Sequence, residues 1–246
     1  MYTPMRSGRQ FLMVGSVLLL TLCGGPHALD ARAAESEAAS AAALSVLRTD
    51  ALPAPDRTGS RPLETLLQER VSVRAFASDT LTAAEVGQLL WAAGGQTHAG
   101  ERFTHRTVPS AGALYPLEIY VVASSGVGRY SVVDHSIEWH QEIDRRAGLS
   151  GAAYGQRCFK DVPLIVVIAA DPSRTTVKYG IRGERYATME AGFACQNLLL
   201  EAVARGLGAV AVGAFDDDHV RNVVGLPTGE IPLLLVPVGH PAPAAR

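Results

Sequence analysis

Residues 164–170 read Leu164-Ile165-Val166-Val167-Ile168-Ala169-Ala170 and form the most informative stretch of the chain. It is a continuous apolar run, rich in β-branched side chains, with no polar residue at alternate positions. A strand with one face in water would alternate apolar and polar residues, whereas a strand covered on both faces does not need to. The run therefore predicts a strand that is buried on both faces.

The longest predicted helix follows this strand, over about residues 186–205, and Gly206 ends it. Its apolar residues lie nearly all round the helix: Met189, Ala191, Phe193, Ala194, Cys195, Leu198, Leu199, Leu200, Val203 and Ala204. Such a helix must be covered on most of its sides. In a chain of this length a subunit interface is a natural cover, so the helix points to a dimer.

Further helices and strands are interleaved with these two segments. Thr82 and Glu85 form a capping-box pattern at the start of a helix that ends at about residue 94. Asp216 is expected to cap a helix that ends at Gly225. Other predicted elements are a short helix over residues 62–70 and strands over residues 119–123, 129–133, 209–212 and 231–238. This interleaving predicts an α/β or α+β protein with a mixed sheet.

The N-terminus has the pattern of an export signal. Arg6 and Arg9 precede an uncharged run over residues 11–22. The run is too short to span a bilayer of about 30 Å comfortably, and it matches the apolar region of a secretory signal peptide. A small-x-small cleavage site follows at residues 31–33. We therefore expect a periplasmic or secreted protein, which would be membrane-anchored if the signal stayed uncleaved.

The chain is accordingly divided into three parts. Residues 1–33 are the predicted signal peptide, and no stable membrane insertion is expected once it has been cleaved. Residues 34–60 are rich in Ala, Ser and Pro, and are predicted to be a flexible linker. Residues 61–243 are expected to form the folded domain.

Composition and motifs exclude several classes of function. The 246 residues include 22 Lys+Arg and 24 Asp+Glu, so no nucleic-acid partner is expected. The histidines are scattered without H-x-x-x-H spacing and there is no C-x-x-C, so no metal site is expected. The chain has neither a G-x-S-x-G elbow nor a P-loop, which leaves serine-hydrolase and phosphate-transfer chemistry without an anchor.

The stretch over residues 69–76, ERVSVRAF, follows the short predicted helix. It places Arg70, Ser72 and Arg74 at alternate positions, which share one face of an extended chain. Two guanidinium groups and a hydroxyl on one face suit a phosphate and its polar neighbours. A solvated basic surface would show the same pattern.

This stretch resembles the R-x-S-x-(R/K)-x-F opening of the nitroreductase family of flavin enzymes. Five further segments resemble, in the family's order, the branch that contains the SagB-type and thiazoline-oxidase dehydrogenases. They are residues 109–118 (PSAGALYPLE), 178–186 (KYGIRGERY), 191–200 (AGFACQNLLL), 211–216 (AVGAFD) and 238–241 (VGHP). The resemblance implies an α+β, nitroreductase-like FMN-binding domain over residues 61–243. It also implies a central mixed β-sheet flanked by helices, and a homodimer with the flavin at the subunit interface.

The resemblance implies that the basic stretch binds one end of FMN. Arg70 and Ser72 would hold the phosphate. Arg74 would lie near N1 and the C2 oxygen of the ring, where a cation stabilises the anionic reduced flavin. Arg246 is the only basic residue after Pro241, and is the candidate for an additional phosphate contact from the C-terminus.

Two other segments would reach the flavin ring. Pro109 and Ser110 would approach it from the loop that precedes a strand. Gly213 and Ala214 would offer backbone N–H groups to N5, the atom that accepts hydride. Gly213 would also permit a close approach of the backbone, since it has no Cβ.

Lys178 and Tyr179 resemble a Lys-Tyr pair of the azoline-oxidising members of the family. There the pair is thought to assist removal of a proton as hydride leaves. The alternative is that Lys178 and Arg182 bind an anionic group or form ion pairs with Glu184 and Glu190. The residues alone leave both interpretations open.

The expected function is that of an exported FMN-dependent oxidoreductase, which transfers hydride between flavin N5 and a small organic substrate. One alternative is an azoline (thiazoline or oxazoline) dehydrogenase that acts on a peptide. Another is a flavin-binding protein without turnover. An export signal is awkward for a peptide-modifying pathway, so the stand-alone oxidoreductase is preferred.

Overall fold

The structure is a computed structural model that describes residues 44–99 and 104–243. The predicted signal peptide, the first part of the predicted linker and Arg246 lie outside the described residues. Within the described ranges, no helix is long and apolar enough to cross a membrane.

The described chain forms nine strands and six α-helices. The strands are β1 (Arg48–Ala51), β2 (Gln96–Ala99), β3 (Thr104–Arg106), β4 (Leu117–Ala123), β5 (Gly126–Ser131), β6 (Ser136–Gln141), β7 (Leu164–Ala170), β8 (Gly208–Ala209) and β9 (Ile231–Gly239). The helices are α1 (Leu63–Glu69), α2 (Ala83–Gly94), α3 (Arg146–Ala152), α4 (Ser173–Tyr179), α5 (Arg182–Ala204) and α6 (Asp217–Val224). Seven strands form one sheet in the order β1-β6-β5-β4-β7-β9-β8, and β2 pairs with β3 in a separate hairpin.

Strand β7 is buried over all seven of its residues, as its sequence predicts. Its even-numbered residues belong to a core cluster with residues of α2 and α5. Its odd-numbered residues belong to a second cluster with residues of α3 and α6. Because successive side chains of a strand point to opposite faces, this one apolar run holds a helical layer on each side of the sheet.

The α+β class is confirmed, but the prediction of a mixed sheet is wrong. Every ladder between the named strands is antiparallel. One parallel contact is present, an isolated bridge between Ser72 and Ala209. An alternation of helices and strands indicates crossovers but does not give strand direction. Here β4, β5 and β6 follow one another as hairpins, and the central strands are also antiparallel.

Helix boundaries set by local chemistry agree with the sequence. Thr82 and Glu85 form the predicted capping box at the start of α2. Asp216 caps α6, and Gly225 ends it in the left-handed conformation at a φ of 76°. The strand predicted over residues 209–212 is shorter. Only Gly208–Ala209 pairs as a strand, and Val212 then makes a single bridge to Leu235.

The predicted flexible linker over residues 34–60 is wrong in its second half. Residues Arg48–Ala51 form edge strand β1, which pairs in antiparallel register with β6. The strand is fixed by side chains as well as by backbone, because the indole N–H of Trp139 donates to Asp50 at 2.8 Å and Arg48 lies over the Trp139 ring. A four-residue polar edge strand, RTDA, has no apolar alternation to reveal it.

Helix α5 begins at Arg182, four residues before the predicted start, and one of its faces is buried against the sheet. That face carries mostly small residues: Gly183, Ala187, Ala191, Ala194, Cys195, Leu198 and Ala202. On the outer face Met189 and Phe193 remain 49% and 46% exposed. The apolar excess seen in the sequence therefore lies on the surface of the single chain.

The Asp50–Trp139 contact gives a test of strand β1. Trp139 is only 5% exposed, and Asp50→Ala removes the acceptor of its indole N–H. This substitution should destabilise the protein by about 1–3 kcal/mol, because a buried donor is left without a partner. Asp50→Asn keeps a side-chain oxygen and should cost less. Urea unfolding monitored by tryptophan fluorescence measures both. Exposed Asp79→Ala is the control, and equal stabilities for all three variants would contradict a role for residue 50 in the sheet.

Candidate functional site

The loop between β3 and β4 carries the predicted site residues Pro109 and Ser110. It is strongly bent, since Gly112, Ala113 and Tyr115 all have positive φ, at 65°, 56° and 44°. For a residue with a Cβ this conformation costs about 1–2 kcal/mol. A loop of this shape persists only where its surroundings hold it in place.

Two buried side chains hold this loop. The Ser110 hydroxyl donates to the Glu190 carboxylate of α5 at 2.6 Å and accepts the backbone N–H of Tyr115 at 2.9 Å. From α4, the Arg174 guanidinium donates to the carbonyl oxygen of Tyr115 at 3.0 Å. These contacts tie the loop to both helices and fix the place of Ser110.

Lys178 and Tyr179 lie against the same loop. A Cβ placed on Gly112 would lie 2.7 Å from the Tyr179 hydroxyl and 2.9 Å from the Lys178 ammonium nitrogen. The Tyr179 ring also contacts the ring of Tyr186 edge to face, with centroids 5.2 Å apart. The structure therefore brings the predicted catalytic pair and the Pro109–Ser110 loop together, and Gly112 leaves room for both side chains.

Neither of the alternative ion pairs of Lys178 is formed among the described residues. Glu190, a suggested partner, accepts from Ser110 instead. Within the described part of the chain, Glu184 also forms no ion pair with Lys178. An anion-binding or catalytic role for Lys178 remains a prediction.

The basic stretch lies at another place, beyond edge strand β8. Ser72 bridges to Ala209, and the Val73 N–H donates to the Ala209 carbonyl at 3.0 Å. Ser72 and Arg74 are exposed and Arg70 is half-buried. Among the described residues, neither arginine has an ion-pair partner. The segment is extended, as the spacing requires, and its polar side chains are available to a ligand.

Gly213 and Ala214 lie in the same neighbourhood. The amide of Gln156 donates to the Ala214 carbonyl at 2.9 Å. Two residues on, burial raises the pKa of the Cys158 thiol, and the nearby positive charge of Arg74 acts in the opposite direction. Arg74 is therefore close enough for its charge to act on Cys158, which lies two residues after the hydrogen-bonding partner of Ala214. Sequence reasoning missed Gln156, which carries no motif.

No protein atom in the described chain explains why residue 213 is a glycine. A Cβ there would approach nothing closer than the Leu234 side chain, at 3.9 Å, and Gly213 does not have a positive φ. Hydrogen bonds from the N–H groups of Gly213 and Ala214 to other described residues are also lacking. An open glycine with two unused donors suits close approach by a molecule from outside the chain.

The predicted cofactor residues thus form two groups within one protomer. The Ser110 loop runs into β4, where Leu117 pairs with Ala170 at one end of β7. Ser72 lies beside β8, which pairs with β9 near the partner of Leu164, at the opposite end of β7. The Ser110 loop and Ser72 are therefore separated by about 20 Å along the strands, the length of seven strand residues. They are separated by a further distance of about 14 Å across the sheet, which is three strand spacings from β4 to β8.

Glu190 is a functional candidate that sequence reasoning treated only as an ion-pair partner. It is 3% exposed, and burial raises the pKa of its carboxyl to about 7, against the opposing effects of the Ser110 hydrogen bond and the charge of Arg106. It also lines a cavity of about 410 Å³. The sequence feature that could have indicated it is the position of Glu190, a single acidic residue among the small residues on the buried face of α5.

Below this cavity a cluster of buried charges joins α4 to the sheet. Arg174 donates to Glu118 of β4 at 2.5 Å, and Arg129 of β5 donates to Glu138 of β6 at 2.9 Å. Each charge is partnered, which buried ionic groups require. The cluster fixes the start of α4, and with it the direction of the Lys178–Tyr179 end.

Gly112 gives a test of this packing. Gly112→Ala combines the strain of a positive φ with a clash against Tyr179 and Lys178. Gly155→Ala has the same strain, at a φ of 66°, and nothing within 4 Å of the new Cβ. We expect Gly155→Ala to cost about 1 kcal/mol and Gly112→Ala at least about 1 kcal/mol more. Chemical denaturation compares them, and equal losses would show that Lys178 and Tyr179 do not crowd the loop.

Three similar proteins bear on this arrangement. A nitroreductase homologue of Methanocaldococcus jannaschii is 43% identical over 186 residues, which cover 72% of this chain and 90% of that protein. The crystal structure of a nitroreductase homologue from Ralstonia eutropha is 30% identical, covers 80% of this chain and 90% of that one, and has a TM-score of 0.72. A chain of the Escherichia coli microcin synthetase complex McbBCD, solved with truncated pro-MccB17 bound, is 20% identical and has a TM-score of 0.63. The match covers 87% of this chain and 94% of that one. At this identity the likeness supports a shared fold and nothing further.

The family model described as "Nitroreductase family" matches residues 67–240. The match begins in α1 and ends just after β9, so it covers the basic stretch, the strained loop, α4, α5 and the Gly213–Ala214 segment. Because it includes more than half of the chain, the protein belongs to the nitroreductase family of oxidoreductases.

Proposed function

We propose that this protein is an exported FMN-dependent oxidoreductase that transfers hydride between flavin N5 and a small organic substrate. The proposal rests on the backbone segment that follows Val212, the residue that bridges to Leu235 of β9. There the open backbone of Gly213 and Ala214 has two unused N–H donors, and Arg74 lies in the same neighbourhood. This combination of a donor pair with a cation fits the polar edge of a flavin ring.

The basic stretch fits the other end of the cofactor. Arg70 and Ser72 lie on the exposed side of a chain segment that is fixed to β8 by the Val73–Ala209 hydrogen bond. A phosphate there would receive charge-assisted hydrogen bonds from a guanidinium group that has no internal ion-pair partner among the described residues. Arg70 and Ser72 would therefore hold the phosphate, and Arg74 would lie nearer the ring.

FMN, when bound, supplies N5 as the atom that exchanges hydride. The residues of this chain would position it and control protons. The N–H groups of Gly213 and Ala214 would orient N5, Arg74 would stabilise negative charge at the edge of the ring, and the loop at Pro109 and Ser110 would cover the ring face. Lys178 and Tyr179, which lie against this loop, would hold or move the proton that accompanies hydride transfer.

The proposed site is completed by a second copy of the chain. In one protomer, the Ser110 loop at β4 and the basic stretch at β8 are three strand spacings apart in the sheet. The outer face of α5 presents Met189 and Phe193, both about half exposed, and this apolar surface is suited to contact the same helix in a partner. We therefore propose a homodimer in which each flavin contacts Gly213 and Ala214 of one protomer and Ser110 of the other.

The peptide-directed alternative rests on two observations. The microcin synthetase complex, solved with truncated pro-MccB17 bound, shares the fold, and the Lys178–Tyr179 pair of the SagB-type resemblance lies beside the predicted ring loop. Export, proposed from the N-terminal sequence, favours a small-molecule substrate instead. The non-catalytic alternative predicts flavin binding without NAD(P)H-dependent reduction of a quinone or nitro compound.

Flavin affinity tests the proposed function directly. The purified chain should bind FMN and become yellow, and Arg70→Gln should weaken binding about 10–100-fold, because a hydrogen bond to a charged group contributes about 1.5–3 kcal/mol. The matched control is Arg48→Gln, on β1 at the opposite edge of the sheet. Quenching of flavin fluorescence measures the dissociation constant, and a chain that stays colourless in saturating FMN would contradict the proposal.

Oligomeric state tests the shared site. Phe193→Glu places a charge on the apolar face of α5, and should convert a dimer into a monomer and weaken FMN binding together, since burial of an unpaired charge at an interface is costly. The control is Ile143→Glu, at an exposed apolar residue outside α5 (59% exposed). It should change neither the oligomeric state nor the FMN affinity. Light scattering and FMN titration on the same samples give both readouts, and a Phe193→Glu dimer with unchanged FMN affinity would refute this interface.

A further inference from the structure

The Ser110 hydroxyl has only one proton, and two hydrogen-bonding partners lie within 2.9 Å of its oxygen. The hydroxyl donates to Glu190 at 2.6 Å and accepts the Tyr115 N–H at 2.9 Å. A serine hydroxyl has one donor and two acceptor positions. While Glu190 is ionised, Ser110 therefore has no proton left to donate to a ligand on the outer side of the loop.

Protonation of Glu190 would reverse this hydrogen bond. A neutral carboxyl has one O–H donor of its own, which could donate to the Ser110 oxygen. That oxygen would then accept from Glu190 and from Tyr115, and the serine proton would be free to point outward. Both arrangements satisfy the serine, so the choice between them depends on the proton of Glu190 alone.

The surroundings of Glu190 make both states accessible near neutral pH. It lies among alanines of α5 and is 3% exposed, and burial raises its pKa to about 7. The groups that face it are Arg106 of β3, whose charge favours ionisation, and the hydroxyls of Ser110 and Tyr115 in the loop. The next charged groups across the cavity are Glu118 and Arg129, and each has an ionic partner.

The cavity gives Glu190 a route for exchanging its proton with water. Its volume of about 410 Å³ is enough for many water molecules, and its lining includes Glu190 itself together with Arg106 and Tyr115. Ser110 does not line this cavity, and it bonds the carboxylate from the loop that the proposed function places against the flavin. Glu190 therefore contacts both a water-accessible space and the Ser110 hydroxyl.

We propose that Glu190 is a positioning residue that sets the direction of the Ser110 hydroxyl. With Glu190 ionised, the hydroxyl points inward and offers the ligand no proton. With Glu190 protonated, the hydroxyl points outward and donates a hydrogen bond to an acceptor atom of the flavin ring. The inference rests on the proposed function, and it implies that tight flavin binding is accompanied by uptake of one proton from water.

The test compares FMN dissociation constants between pH 5.5 and 8.5 for the wild-type chain, Ser110→Ala and Glu190→Gln. Titration of the FMN phosphate affects all three chains equally, and Ser110→Ala loses its contacts within the loop at every pH. The change with pH in the ratio of the wild-type and Ser110→Ala dissociation constants therefore reports the direction of the hydroxyl. We expect the advantage of wild type over Ser110→Ala in FMN affinity to be about 5–10-fold larger at pH 5.5 than at pH 8.5, the size of one hydrogen bond. The Glu190→Gln side chain does not titrate, so the affinity of this variant relative to Ser110→Ala should not change with pH.

The outcomes separate the two proposals. A ratio of wild type to Ser110→Ala that does not change with pH would overturn the role of Glu190 while leaving FMN binding intact. Glu190→Gln that follows the wild-type pH profile would overturn it as well. A chain that binds no FMN at any pH would overturn the proposed function and this inference with it. Should Glu190→Gln fail to fold, the wild-type and Ser110→Ala profiles decide the question by themselves.

Discussion

Burial of β7 on both faces holds the two helical layers of the protein together. Its even-numbered side chains pack with α2 and α5, and its odd-numbered side chains pack with α3 and α6. Seven apolar residues of this strand contribute on the order of 10 kcal/mol of burial free energy, if each buried aliphatic side chain is worth about 1.5–3 kcal/mol. Both layers, and hence both groups of candidate site residues, are placed relative to this strand. The apolar core, which contains none of the candidate site residues, therefore sets the relative positions of the two groups.

Around this core, polar contacts shape the parts that carry chemistry. The loop over residues 109–116 contains three residues with positive φ, and its shape is held by Ser110 against Glu190 and by Arg174 against Tyr115. Gly213 and Ala214 differ from this loop. Their backbone N–H groups donate to no other described residue, and there is open space beside Gly213. One region is therefore pre-formed by internal hydrogen bonds, and the other leaves two exposed backbone donors for the ligand of the proposed function.

Features that depend on apolar pattern and capping were predicted well from the sequence. Strand β7, the capping box at Thr82 and the end of α6 at Gly225 are found where they were expected. The direction of the strands was missed, because periodicity is the same for parallel and antiparallel pairing. Strand β1 was missed because its four residues have no apolar alternation. The family motifs named candidate site residues, but the Ser110–Glu190 contact joins residues 80 positions apart, and no local pattern encodes such a pair.

The proposed function and the role of Glu190 both depend on the proposed flavin site, which two copies of this nitroreductase-family chain would build together. A crystal structure of the chain grown with FMN would test this shared site without an intermediate assay. We predict a two-fold dimer with the flavin ring between the Gly213–Ala214 backbone of one protomer and the Ser110 loop of the other, and with the phosphate at Arg70 and Ser72. A flavin held entirely within one protomer, or one seated in the cavity beside Glu190, would contradict the shared site.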